Sequence, residues 1–191
     1  MSEAKKKRIA LALTGASGAP YFIRMLQRLR PFADLELHLM ASEGGKRVLR
    51  EETGTLWKNV PRLGLQVHRN RDIGASLASG SFRLHAMVIL PCSMNTAAAI
   101  AAGMAQNLIH RCAAVQLKED RQLILVPRET PLSLIQLRNL VRLRESGAVI
   151  MPAAPGFYHG AEDVTGLLDT VIDRIFDHLG IEDDRIRRWK S

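Results

Sequence analysis

The chain has 191 residues, 47% of them apolar, a net charge of +8 and a mean hydropathy of −0.03. That size suits one domain, residues 1–191 with 1–7 expected as a flexible basic tail, and no apolar stretch is long enough to span a bilayer. Two cysteines, Cys92 and Cys112, argue against a disulfide framework or a CxxC metal pair; the charged start lacks a signal peptide's apolar run, so cytoplasm is expected. Basic residues gather only at Lys5–Arg8 and at Arg185, Arg187 and Arg188, so nucleic-acid binding is not expected.

A short apolar run, Arg8–Thr14, predicts the first strand. It breaks at Thr14-Gly15-Ala16-Ser17-Gly18, and a helical pattern follows over Ala19–Arg30. Strand, small-residue turn and helix leave amide groups free at a helix N-terminus, where an anion or polar ring docks. A nucleotide-type ligand is therefore the first expectation, although the turn lacks the GxGxxG spacing. Further strands are predicted at Leu35–Ala41, Ala86–Leu90, Leu123–Val126 and Ala148–Met151, with a weaker one at Leu65–His68. Helices are predicted at Glu43–Glu52, Ser93–Ala102, Asn107–Leu117, Pro131–Ser146 and Val164–Leu179. Pro131 suits a first helical turn and Gly147 a helix end. In the last helix Val164, Leu167, Leu168, Val171, Ile172 and Ile175 mark one buried face. The alternation predicts an α/β, three-layer α/β/α fold with a Rossmann-like or flavodoxin-like parallel sheet. Thr96–Ala105 reads TAAAIAAGMA, lean enough either to fill a core or to admit another subunit closely.

Ligands of open parallel sheets bind beyond the carboxyl ends of the strands. Those ends carry the Thr14–Gly18 turn, Ser42, the Cys92-Ser93-Met94-Asn95-Thr96 stretch, Arg128-Glu129 and the Pro152–His159 segment with Tyr158. Simpler roles compete: Ser93 as a helix cap, Cys92 as a buried thiol, Arg128-Glu129 as a surface pair. A cationic set, Arg111, Lys118, Arg128 and Arg174, suits a second phosphate, since the guanidinium fork binds phosphate oxygens in pairs, or else solvated helix faces. The histidines form no HxxxH or HExxH set, so no metal site is expected.

With these residues laid out, the chain resembles the UbiX family of flavin prenyltransferases. The matching stretches are TGASGAPY (14–21), SGS (79–81), MVILPCS (87–93), NLIHRCAAVQLKE (107–119), LVPRETPL (125–132) and GAVIMPAAPGFYH (147–159), with Arg174 and Arg188-Trp189. The resemblance implies transfer of the dimethylallyl group of dimethylallyl monophosphate to N5 and C6 of reduced FMN, without metal. The prenylated FMN would serve UbiD-type decarboxylases, and the assembly would be a homododecamer. Gly15, Ala16, Ser17, Ser42, Ser93, Met94, Asn95, Thr96 and Arg128 would contact FMN. Tyr158 and Arg174 would hold the prenyl phosphate, with Lys118 and Arg111 from a neighbouring subunit. Ser17, Glu52 and Glu129 would be catalytic. The alternative is a flavin-dependent decarboxylase or its FMN-binding subunit. Two departures stand out: Asp120 replaces an arginine of the family's Lys-Glu-Arg-Arg-Pro run, and Ile73 stands where some members carry an aromatic residue.

Overall fold

The computed structural model describes residues 6–60, 65–157 and 160–186. Side-chain alternation along β1 (Lys7–Leu13) organises it. Ile9, Leu11 and Leu13 enter one apolar core, and the smaller Ala10 and Ala12 enter a second on the opposite face. A strand buried on both faces belongs to a parallel sheet covered by helices. β2 (Leu35–Ala41), β3 (Gln66–Val67), β4 (Ala86–Cys92), β5 (Gln122–Pro127) and β6 (Val149–Ile150) complete that sheet in the order β3-β2-β1-β4-β5-β6. Every neighbouring pair is parallel.

The helices α1 (Ala19–Leu29), α2 (Glu43–Thr53) and α6 (Val164–Leu179) pack on the first core. On the second pack α3 (Met94–Ala101), α4 (Leu108–Lys118) and α5 (Leu134–Glu145). The predicted three layers are present, and the strand order is the Rossmann-like one. It reverses direction between β1 and β4, which opens a crevice at their carboxyl ends.

The predicted elements all form, with three differences. Pro131 lies outside α5, which starts at Leu134 behind a capping box: the Ser133 hydroxyl accepts from the Gln136 amide at 3.3 Å, and the Gln136 side chain accepts from the Ser133 amide at 2.8 Å. Two amides satisfied reciprocally outweigh the preference of proline for a first turn. Lys7, placed in the basic tail, pairs with Leu35 as the first residue of β1. The lean α3 packs closely against α5 of its own chain, so its small side chains admit an intrachain neighbour.

Two tertiary features hold the carboxyl rim and the C-terminal segment in place. Ser42 caps α2, accepting from the Gly45 amide at 3.0 Å, and α2 then abuts the end of β1. A Cβ on Gly45 would overlap the Leu13 carbonyl, and one on Gly15 would lie 3.2 Å from the Gly44 Cα. Gly45→Ala is therefore expected to lower stability by about 1–3 kcal/mol, since backbone must move to admit it; a denaturant titration measures this, and an unchanged midpoint would refute the close approach. At the other end of α1, the Arg28 side chain is 1% exposed and donates to Asp173 (2.8 Å) and Asp183 (2.8 and 3.1 Å), with its guanidinium 4.9 Å from the Phe176 ring centre.

Candidate active site

At the crevice between β1 and β4 the chain ends of the two strands are stapled by one hydroxyl. Thr14 is fully buried; its Oγ1 donates to the Pro91 carbonyl at 2.9 Å and accepts from the Ser93 amide at 2.7 Å. The staple sets the Gly15–Gly18 turn beside the N-terminus of α3. There Ser93 is indeed a helix cap: its Oγ accepts from the Thr96 amide at 3.3 Å and donates to the Thr96 hydroxyl at 3.0 Å. Met94 and Thr96 are buried, while Asn95 is exposed. Gly18 holds φ +117°, a conformation that side chains rarely adopt, and this lets the turn enter α1 sharply.

The N-terminus of α1 is not free to take a phosphate. The Glu52 carboxylate, arriving from the end of α2, accepts from the Gly18 amide at 2.9 Å and the Ala19 amide at 2.8 Å. The Ser17 side chain stands beside the same carboxylate and lowers its pKa further. Burial pushes the Glu52 carboxyl up, but Ser17, the Gly18 and Ala19 amides and the nearby Arg128 guanidinium outweigh it and hold the group below the usual carboxylate range. The expected anion-binding helix end thus carries an internal anion.

The other predicted residues divide by position. Gly15, Ala16, Ser17, Ser42, Ser93 and Thr96 share the carboxyl rim, joined through the contacts above. Arg128 and Glu129 follow β5 onto the same rim, both exposed, and the Glu129 carboxylate accepts from the Thr130 amide at 3.1 Å. Arg111 and Lys118 stand seven residues apart, two turns along one face of α4. Lys118 closes α4, four residues before β5 begins at Gln122, and pairs with Glu119 at 2.9 Å. β5 is roughly 20 Å long at about 3.3 Å per residue, so Lys118 lies across the sheet from Ser17 of its own chain.

Arg174 lies toward that far end too. The C-terminus of α6 meets the amino ends of the strands, where the Gln122 side chain donates to the His178 carbonyl at 2.6 Å. Arg174 pairs there with Asp177 at 2.8 Å, 61% of its side chain exposed. Within one chain Lys118 and Arg174 therefore do not reach the serine-lined crevice, whereas Arg128 lies on its rim near Glu52. Tyr158 lies outside the described residues.

Both thiols are fully buried, which pushes their pKa up to about 12 and leaves them as inert packing groups. Among the described residues no three or more His, Cys, Asp or Glu side chains converge as a metal site, and no helix is long and apolar enough to cross a membrane. Thr14 was expected only as part of the turn; Gly44 and Gly45, which shape the same rim, were not expected there, nor was Asn70, whose carbonyl and side chain accept the first amides of α4 at 2.7 and 3.1 Å. The paired glycines after Ser42 were a readable sign of close approach; Asn70 left none.

The family model described as Flavoprotein matches residues 1–179. A flavin prenyltransferase UbiX of Deinococcus radiodurans is 43% identical over 184 residues, covering 96% of this chain and 94% of that protein. That of Thermoplasma acidophilum is 42% identical over 182 residues, covering 95% and 99%. Among solved structures, AnUbiX (PadA1) in complex with FMN and dimethylallyl pyrophosphate aligns with a TM-score of 0.94 at 41% identity, over 97% of this chain and 98% of that one. A dodecameric FMN-dependent UbiX-like decarboxylase from Escherichia coli O157:H7 aligns at 0.93 and 40% identity, over 96% and 100%.

Proposed function

We propose that this chain, which belongs to the Flavoprotein family and within it to the UbiX flavin prenyltransferases, joins the dimethylallyl group of dimethylallyl monophosphate to N5 and C6 of reduced FMN. The observation that carries the chemistry is the Glu52 carboxylate held on the Gly18 and Ala19 amides beside Ser17, at the mouth of the β1/β4 crevice. The crevice suits a flavin: the Gly15 turn and the start of α2 meet without side chains, and the N-termini of α2 and α3 present capped amide groups beside it. Gly15, Ala16, Ser17, Ser42, Ser93, Met94, Asn95, Thr96 and Arg128 are the residues assigned to hold FMN. When bound, reduced FMN supplies the nucleophilic ring atoms that take the prenyl carbons.

The chain's own groups supply positioning, charge and proton transfer. Ser17 accepts a hydrogen bond from the ring edge and passes the released proton to the ionised Glu52. Glu129, on the same rim, takes the C6 proton; of the two protons released, one goes to the prenyl double bond as C6 joins it and the other leaves with the phosphate. Departure of the phosphate places negative charge on its oxygens, which fixed cations stabilise without a metal ion. Tyr158 and Arg174 are assigned to that phosphate, together with Arg111 and Lys118 of a neighbouring copy; the placement of Lys118 across the sheet from Ser17 supports a contribution from another chain. The assembly is inferred to be a cytoplasmic homododecamer, like the E. coli neighbour in subunit number. Its product would pass to a UbiD-type decarboxylase.

Anaerobic incubation with reduced FMN and dimethylallyl monophosphate, with the pyrophosphate as a separate arm, followed by mass spectrometry of the extracted flavin, tests the reading. A mass increase by the prenyl group in the monophosphate arm is expected. Unmodified FMN under conditions where a UbiX relative works would overturn it. Glu129→Gln is expected to retain FMN and prenylate about 100-fold more slowly; unchanged turnover removes Glu129 from the mechanism.

A further inference from the structure

The Ser79-Gly80-Ser81 loop stands against the end of α4. It is held in one shape: the Phe82 amide donates to the Ser79 carbonyl at 3.1 Å, the Ser79 and Ser81 hydroxyls lie 2.8 Å apart, and Phe82 packs on the second core. Arg121 donates to the Gly80 carbonyl at 2.8 Å and pairs with Glu119 at 3.4 Å, and Glu119 pairs with the Lys118 ammonium at 2.9 Å. A Cβ on Gly80 would overlap the Glu119 carboxylate and lie 3.4 Å from the Lys118 nitrogen, so only glycine lets the pair rest on the loop. The chain turns back toward the loop through a helix end of the Schellman kind. The Arg121 amide donates to the Gln116 carbonyl at 2.8 Å, and the Asp120 amide to that of Leu117 at 3.2 Å. Asp120 takes φ +50°, a left-handed conformation that aspartate tolerates better than most residues. The departure at position 120 therefore suits the turn that brings Arg121 onto Gly80.

We propose that Glu119 is a positioning residue: braced by Arg121 on the Gly80 carbonyl, it holds the Lys118 ammonium in place for a prenyl phosphate. A lysine side chain is long and flexible, and fixing its ammonium ahead of the ligand removes that ordering cost from binding. The ammonium has three N–H donors and Glu119 occupies one, so others can turn to phosphate oxygens. Lys118 holds the Glu119 carboxyl below the usual carboxylate range, so it is ionised at neutral pH. Its charge does not repel the ligand on balance, because two cations flank the one carboxylate and the group stays net positive. That the anion is a prenyl phosphate rests on the prenyltransferase reading; the clamp on Lys118 does not.

Calorimetric titration of dimethylallyl monophosphate into the full chain loaded with oxidised FMN, which lacks the nucleophilic ring form, tests the clamp through a double-mutant cycle. Lys118→Ala is expected to weaken binding about tenfold or more, the scale of one lost charge-assisted hydrogen bond. Glu119→Ala should weaken it about threefold or more, and the double variant no further than Lys118→Ala alone, because Glu119 acts only through Lys118. A residue with a merely structural role adds its loss in both backgrounds. Additive losses, or unchanged or tighter binding in Glu119→Ala, would overturn the proposal. Gly80→Ala displaces the carboxylate from the loop side and serves where Glu119→Ala fails to fold. It should weaken binding when Lys118 is present and change nothing in Lys118→Ala; the same loss in both backgrounds refutes the clamp. A wild type that shows this coupling yet leaves reduced FMN unmodified supports the clamp and refutes prenylation, so the two readings fail separately. Absence of binding by the wild type refutes both.

Discussion

Arg28→Ala is expected to cost the fold about 3–5 kcal/mol, the range for removing one partner of a buried ion pair. Every 1.4 kcal/mol is tenfold, so the folded-to-unfolded ratio falls by roughly two orders of magnitude or more. The guanidinium, 1% exposed, joins α1 to Asp173 of α6 and to Asp183 of the following segment, and it stacks on Phe176. Arg24 and Arg185 continue to serve Asp169 and Asp183, so the loss centres on the Arg28–Asp173 bond itself and on the packing around Phe176. Denaturant unfolding measures it. Recovery of part of the loss in the Arg28→Met, Asp173→Leu double variant would identify charge pairing as the cause; a loss below about 1 kcal/mol in Arg28→Ala would refute the account.

The same network has a pH signature. Burial pushes the Asp183 carboxyl up, but hydrogen bonds from Arg185 and Arg28 outweigh it and hold the group well below the usual carboxylate range. Asp169 is lowered in the same sense, burial opposed and exceeded by Arg24 and Arg28. A carboxylate whose folded pKa lies under its unfolded value stabilises the fold above the unfolded value, near 3.9, and ceases to do so as pH falls through the folded one. The stability gap between wild type and Asp183→Asn should therefore be full at neutral pH and close progressively below about pH 4.

Glu52→Gln is expected to keep FMN bound and to slow prenylation by about 100-fold or more, the scale of a lost proton acceptor. The amide oxygen of glutamine can still accept from Gly18 and Ala19, so the entry to α1 survives while the charge and the basicity go. Glu52→Ala removes the cap as well and should add a stability loss of about 1–2 kcal/mol, which separates the two roles. Because Glu52 is held below the ordinary carboxylate range, it is ionised at neutral pH, and loss of rate on the acid side should begin only under that range. Turnover of Glu52→Gln within twofold of wild type would remove Glu52 from the proton path. Quantified flavin retention alongside the single-turnover rate makes the comparison clean.

Local signals in the sequence were enough for the elements and for one wall of the site. The apolar runs give each strand, the three-and-four spacing gives α6, and the small-residue turn after β1 marks where a ligand approaches, because these depend on near neighbours in the chain. The helix cap at Ser93 follows from the same kind of information. Pro131 misled because a capping box that starts two residues on, at Ser133, competes with it.

What the fold alone decided depends on groups brought together from distant positions. Glu52 reaches the amides of Gly18 and Ala19 across 34 and 33 residues, and it fills the helix end expected to dock an anion with a carboxylate of the chain itself. Thr14 meets Ser93 across 79, and Arg28 meets Asp183 across 155. No periodicity encodes such pairs, since they exist only once the sheet order sets β1 beside β4 and α1 beside α6. The position of Lys118 is the sharpest case. Its residue type suggested phosphate binding; the direction of α4 puts it at the opposite end of the sheet from Ser17, a separation that follows from the chain's return path into β5.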